Sequence, residues 1–228
     1  SVLSINEISL VHNSLGITYM RLGQLTMAKM HFEKVRAGCL KTGNSGALAM
    51  ALNNIGLIYQ RMGQYDLALD TFRSGLEKAK EAGYRRVEAG TLISLADVMR
   101  DIGMYQEAMP LYQEGLELSR QVMEASFVAY ATAGIGESYR LQGEYEKAEI
   151  LLKEAQHQAE QQEQPYETAL FMIPLGIIEY KRGQYDKATA ILINASKRLR
   201  IMGDKDALAR VYFHLAQISF LCRKFTIR

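Results

Sequence analysis

The stretch LNNIGLIYQRMGQYDLALDTFRSGL, Leu52 to Leu76, decides the fold. Ile55, Gly56 and Tyr59 lie on one helical face, Gly63 interrupts the run, and Ala68, Phe72 and Gly75 follow at helical spacing on a second face. The reading is two helices of about four turns each, joined by a turn whose glycine takes a positive φ at little cost. Such a hairpin leaves an apolar face uncovered, so it needs neighbours.

The neighbours are written in the same chain. Gly23, Gly63, Gly103, Gly143 and Gly183 recur every forty residues. In phase with them stand the alanines Ala28, Ala68, Ala108, Ala148 and Ala188, and then the large side chains Phe32, Phe72, Tyr112, Leu152 and Leu192. Upstream, Leu15, Ile55, Leu95, Ile135 and Leu175 are each followed by a tiny residue, Gly16, Gly56, Ala96, Gly136 and Gly176. A second glycine series, Gly43, Gly83 and Gly203, marks where one hairpin crosses to the next, with Met123 and Glu163 in its place elsewhere. A fixed period of this length is the signature of a repeat architecture, in which each unit buries its face by stacking. A sixth first-type helix, from about Lys205 to Cys222, keeps the pattern through Leu215 and Ala216, with Arg223 in the turn-glycine column and Phe225 in the tyrosine column.

This pattern resembles the tetratricopeptide repeat over nearly the whole chain. The early tryptophan that many such repeats carry is absent, its column reading His12, Leu52, Leu92, Thr132, Met172 and Tyr212. The forty-residue length is similar to the long-helix subtype of bacterial signalling ATPases and transcriptional activators, kinesin light chains and spindle-orientation adaptors. The resemblance implies an all-α, right-handed α-solenoid of stacked helix-turn-helix hairpins, five repeats plus part of a sixth. The expected organisation is a single array over 1–228, with repeats at about 4–43, 44–83, 84–123, 124–163 and 164–203 and a partial one at 204–228.

Composition fits a globular chain with a sizeable core: 228 residues, 48% hydrophobic, three prolines and a net charge of +2. Charge is uneven. Residues 1–64 carry six basic against two acidic side chains, 144–167 seven acidic against two basic, and 197–228 eight basic against two acidic. These read as solvated outer faces, since no concentrated basic stripe with stacking aromatics suggests direct nucleic-acid contact. No apolar run is long enough to suggest a membrane span and the first ten residues lack a secretory signal, so the expected location is cytoplasmic. Cys39 and Cys222, in distant repeats, are expected to be reduced thiols.

Chemistry-bearing constellations are sparse. His12, His31, His157 and His214 show no pairing at metal-ligand spacing, no phosphate-binding glycine loop occurs, and the acidic run has no evident pocket. The expectation is a non-catalytic module without metal or cofactor. By resemblance, a protein or peptide ligand lies in the concave groove lined by the first helix of each unit. The residues facing it would include Asn13, Asn53, Asn54, Gln60, Asp97, Arg100, Glu137, Arg140 and Tyr180, with Ile93, Ser94, Asp101, Ile173, Ile177, Phe213 and His214 beside them. Asn53 and Asn54 could bond the backbone of an extended peptide irrespective of its sequence, or one of them braces a neighbouring helix. Asp97 with Arg100, and Glu137 with Arg140, are i,i+3 pairs that brace a helix or else hold arginines ready for a carboxylate or phosphate.

Asn13, Ile93 and Ala133 stand where a chaperone-tail clamp would carry basic residues, which argues against that branch. Pro174 is expected to kink the fifth unit's first helix. The chain reads as a fragment of a larger signalling or transcription-regulatory protein, with self-association through an uncapped last helix. The alternative is a eukaryotic-type adaptor that binds a peptide of a motor or polarity complex.

Overall fold

The structure, a computed structural model, describes residues 4–226; the side chains of Asn6 and of residues 223–226, and with them the column assignments of Arg223 and Phe225, lie outside the described set. The described residues form eleven helices and no strands. The first-type helices are α1 (Ile5–Arg21), α3 (Ser45–Arg61), α5 (Arg85–Asp101), α7 (Ala125–Leu141), α9 (Pro165–Lys181) and α11 (Lys205–Thr226). The second-type helices are α2 (Leu25–Thr42), α4 (Tyr65–Glu81), α6 (Tyr105–Gln121), α8 (Tyr145–Gln161) and α10 (Tyr185–Met202). The chain divides into two compact units, Ser1–Phe127 and Val128–Arg228.

In the first unit, α1 packs on α2, α3 on α4 and α5 on α6, with α2 against α3 and α4 against α5. The turn between α3 and α4 shows how each hairpin closes. Gly63 sits at φ +71°, the Gly63 N–H donates to the Gln60 carbonyl at 2.9 Å and the Gln64 N–H to the Tyr59 carbonyl at 2.9 Å. These paired bonds satisfy carbonyls that the end of α3 would otherwise leave open. The tiny residue of each first-type helix has a steric role, not a conformational one. A Cβ on Gly56 would lie 2.6 Å from a ring carbon of Phe72, so the glycine lets α4 seat its fully buried aromatic directly on the α3 backbone.

The second unit repeats the arrangement. Ala169, Met172, Ile173 and Ile177 of α9 form one core with Ala188, Leu192, Ala195 and Leu199 of α10 and Ala207, Val211 and Ile218 of α11. Helix α9 runs from Pro165 to Lys181 with Pro174 inside it. Pro165 is at its first turn, where the missing N–H costs nothing. Helix α11 continues through position 223 to Thr226, where the column alignment placed a turn. A residue with a Cβ there opposes the left-handed geometry that glycine adopts in the other five turns.

Met123 and Glu163 do adopt that geometry, at φ 56° and 53°, in the inter-hairpin positions that Gly43, Gly83 and Gly203 fill elsewhere. Holding a side chain in the left-handed region costs about 1–2 kcal/mol, partly offset by the entropy that glycine loses. Met123→Gly and Glu163→Gly are therefore each expected to raise stability by up to about 1 kcal/mol. Urea unfolding checks this, with Gly83→Ala expected to move the midpoint the opposite way.

Candidate functional site

The first-type helices carry the polar side chains, and in the first unit α3 and α5 bring them together. Tyr112 stands in the large-residue column of α6 where α4 has Phe72, and it is fully buried. Its hydroxyl reaches back to α5 and donates to Asp97 Oδ1 at 2.5 Å. Arg100 donates to the same Asp97 oxygen at 2.7 Å, to the Tyr112 oxygen at 2.9 Å and, through its other terminal nitrogen, to Asp101 Oδ1 at 2.9 Å. Gln60 of α3 donates to Asp101 Oδ2 at 2.8 Å, so consecutive first-type helices are tied side chain to side chain.

Burial pushes the Asp97 carboxyl up, while Arg100 and the Tyr112 hydroxyl pull it back. The Tyr112 phenol is pushed up by its burial and then by the Asp97 charge, so it remains a neutral donor throughout the physiological range. Arg100 is thus held by two carboxylates and a phenol rather than presented bare.

The candidate amides lie on α3 and α1. Asn53 is half-buried in α3, its backbone close to Gly75 of α4, and its Oδ1 is shielded from solvent with no hydrogen-bond partner among the described residues. A shielded carbonyl oxygen without a donor costs about 1–3 kcal/mol, and a ligand N–H would reach it only once the side chain turns outward. Asn54 and, on α1, Asn13 are half-buried. Ile93 is buried, since a Cβ on Gly115 of α6 would meet it at 2.9 Å, and Ser94 bonds back to the Gly90 carbonyl. Both therefore offer little surface to a ligand.

In the second unit, Arg140 forms a two-bond pair with Glu137, both at 2.7 Å. Tyr180 of α9 meets Tyr185 of α10 and His214 of α11 at ring-centroid distances of 6.1 and 6.4 Å, with Lys181 over its face. Ile173 and Ile177 are buried in the α9 core.

One contact was invisible in the sequence spacing. His12 of α1 and His31 of α2, nineteen positions apart, meet Nδ1 to Nδ1 at 2.9 Å, with Tyr19 stacked on His31. One nitrogen must donate and the other accept, so the bond holds a single proton. No group of three or more metal-ligating side chains occurs among the described residues. Burial, then the charges of Lys34 and His31, hold the His12 imidazole below its ordinary value. The unfolded chain therefore binds the proton more readily, and the stability that His12 contributes is present above about pH 6.5 and is lost as pH falls below it. The melting temperature is expected to drop between pH 7 and pH 5, and His12→Gln to flatten that drop. A thermal scan series in matched buffers checks both.

The tetratricopeptide repeat model matches residues 7–81 and 87–161. No curated protein matches the chain significantly. Solved structures of similar fold include a Rap protein complexed with competence and sporulation factor, at 18% identity over 97% of this chain and 68% of that one, TM-score 0.78. NprR in complex with its cognate peptide NprX is similar at 16% identity over 99% and 64%, TM-score 0.74. Aspartyl phosphate phosphatase F from Bacillus subtilis is similar at 11% identity over 96% and 61%, TM-score 0.69. The chain thus spans about two thirds of the length of these structures. No helix among the described residues is long and apolar enough to cross a membrane. With the model covering most of the sequence and the hairpins stacked as that model requires, the chain belongs to the tetratricopeptide repeat family.

Proposed function

We propose that this chain is a peptide-binding sensor module of a signalling or transcription-regulatory protein, taking an extended peptide along the first-type helices of its first unit. The observation that carries the reading is the shielded, unpartnered Asn53 Oδ1 on α3, the helix that also carries the Gln60–Asp101 bridge about two turns further on. Turning outward onto a peptide N–H would relieve the cost of that unpaired oxygen, and its neighbour Asn54 supplies a second amide on the same helix. A grip on peptide backbone needs no particular sequence, so side-chain selectivity falls to the surrounding network. The fold similarity to NprR, solved with a cognate peptide, agrees with the reading. The 11% identity to a phosphatase concerns the fold alone and gives no ground for a reaction.

Selection from a random heptapeptide library tests the proposal. Wild-type protein is expected to enrich a related set of peptides, and an Asn53→Ala/Asn54→Ala variant of equal thermal stability to lose that enrichment by at least tenfold. Equal enrichment by both proteins would remove the asparagines from the site.

A further inference from the structure

The second unit holds a cleft of about 290 Å3, lined by Glu160, Glu163, Gln164, Pro165, Thr168 and Arg198. Its walls are the end of α8, the turn into α9, the first turn of α9 and the side of α10. The volume stands at the small end of the range for ligand sites, about 300–1,000 Å3. It suits a molecule of amino-acid size.

Opposite charges share this cleft without meeting. Arg198 is half-buried and donates to Asn194 Oδ1 at 3.4 Å, and among the described residues it pairs with neither Glu160 nor Glu163. Glu160 accepts from Gln156 at 2.9 Å through one oxygen only. Glu163 carries its carboxylate on a left-handed backbone at φ 53°, where Gly43, Gly83 and Gly203 stand in equivalent turns. Backbone strain of this kind gathers at ligand sites. Gln164 departs from its column as well. Asn44 and Asp204, its counterparts, cap their helices by accepting from the Ala47 and Ala207 N–H groups at 3.0 and 2.9 Å. Gln164 makes no such bond, and its Oε1 is shielded and unpartnered. Turning that amide into the cleft onto a ligand N–H would satisfy it.

We propose that this cleft binds a free α-amino acid with a basic side chain. The ligand carboxylate pairs with the Arg198 guanidinium, whose planar fork matches it. The α-ammonium, a donor of three N–H bonds and an acceptor of none, is taken by the Glu163 carboxylate and the turned Gln164 oxygen. Two carboxylates face one guanidinium here, so a cationic side chain offsets the remaining charge at Glu160. The Pro165 ring gives the alkyl stem an apolar wall.

L-Arginine is the probe, titrated at constant pH and ionic strength into isotope-labelled protein while backbone amide shifts are followed by NMR. Two analogues run beside it: L-argininamide, which lacks the carboxylate, and Nα-acetyl-L-arginine, which lacks the α-ammonium. The expected result is saturable shifts centred on the cleft residues, with both analogues at least tenfold weaker. Arg198→Gln should bind arginine and its amide equally. Glu163→Gly, expected to raise stability, should weaken arginine binding at least tenfold, so that loss cannot come from unfolding. Three results would overturn the proposal: no saturable shift at tens of millimolar arginine, analogues that bind as well as arginine, or undiminished binding by Glu163→Gly. None of them bears on the Asn53 face, which belongs to the other unit.

Discussion

Replacing Phe72 by alanine is expected to cost the first unit about 3–5 kcal/mol. The ring is fully buried and rests on the α3 backbone at Gly56, with Ala68, Leu95 and Val98 in the same cluster. Removing it loses the transfer energy of the ring and opens a cavity between two hairpins, because both walls are helix backbone and close-packed side chains that cannot collapse. The complementary change fills the same space from the other side. Gly56→Ala would place a methyl 2.6 Å from the ring and force α3 and α4 apart, at about 1–3 kcal/mol. Hydrogen exchange of α3 to α5 amides is the suitable readout, since repeat arrays need not unfold in one step. Losses confined to α3 and α4 would contradict coupling of the hairpins through this cluster, because Leu95 and Val98 belong to α5.

Asp97→Ala is expected to cost about 2–4 kcal/mol. The change leaves the Tyr112 O–H without its acceptor, although the oxygen still accepts from Arg100, and leaves Arg100 short of one of its two carboxylates. The side chains of Asp97 and Arg100 remain 31% and 18% exposed, so water screens part of the loss and the lower end of the range is expected. Asp97→Asn keeps an acceptor for the hydroxyl and should cost less. Tyr112→Phe should cost about 1 kcal/mol, and its effect should shrink in the Asp97→Ala background, with a coupling of at least about 0.5 kcal/mol. Urea midpoints of the four proteins close that cycle. Strict additivity would mean that the hydroxyl and the carboxylate act independently.

The repeat was legible because each of its columns has one physical job. A glycine in every turn, an alanine where helices meet and a large side chain over a tiny one can be read residue by residue, and the hairpins stand where those columns put them. What could not be read depends on which neighbour a side chain meets. The Tyr112 column resembled one more apolar core position, and only the packed hairpin shows its hydroxyl turned to Asp97. Spacing along the chain separated His12 from His31, but an antiparallel pair of helices joins them. Met123 and Glu163 fill glycine positions with strained backbone, which composition alone would have argued against. Of the groove candidates, Gln60, Asp97 and Arg100 share one network, while Ile93 and Ile173 belong to the core. Ile93 of α5 is buried where a Cβ on Gly115 of α6 would meet it at 2.9 Å, whereas Asn53, in the same column over Gly75, is half-buried.

The central claim is that ligands are held by the amide-bearing face of α3. Affinity capture from the native cell extract, with wild-type protein and with the Asn53→Ala/Asn54→Ala variant at matched thermal stability and the eluates identified by mass spectrometry, tests it most directly. The account predicts a peptide or peptide-presenting partner retained by the wild type and lost by the variant. The same partners retained by both would contradict it.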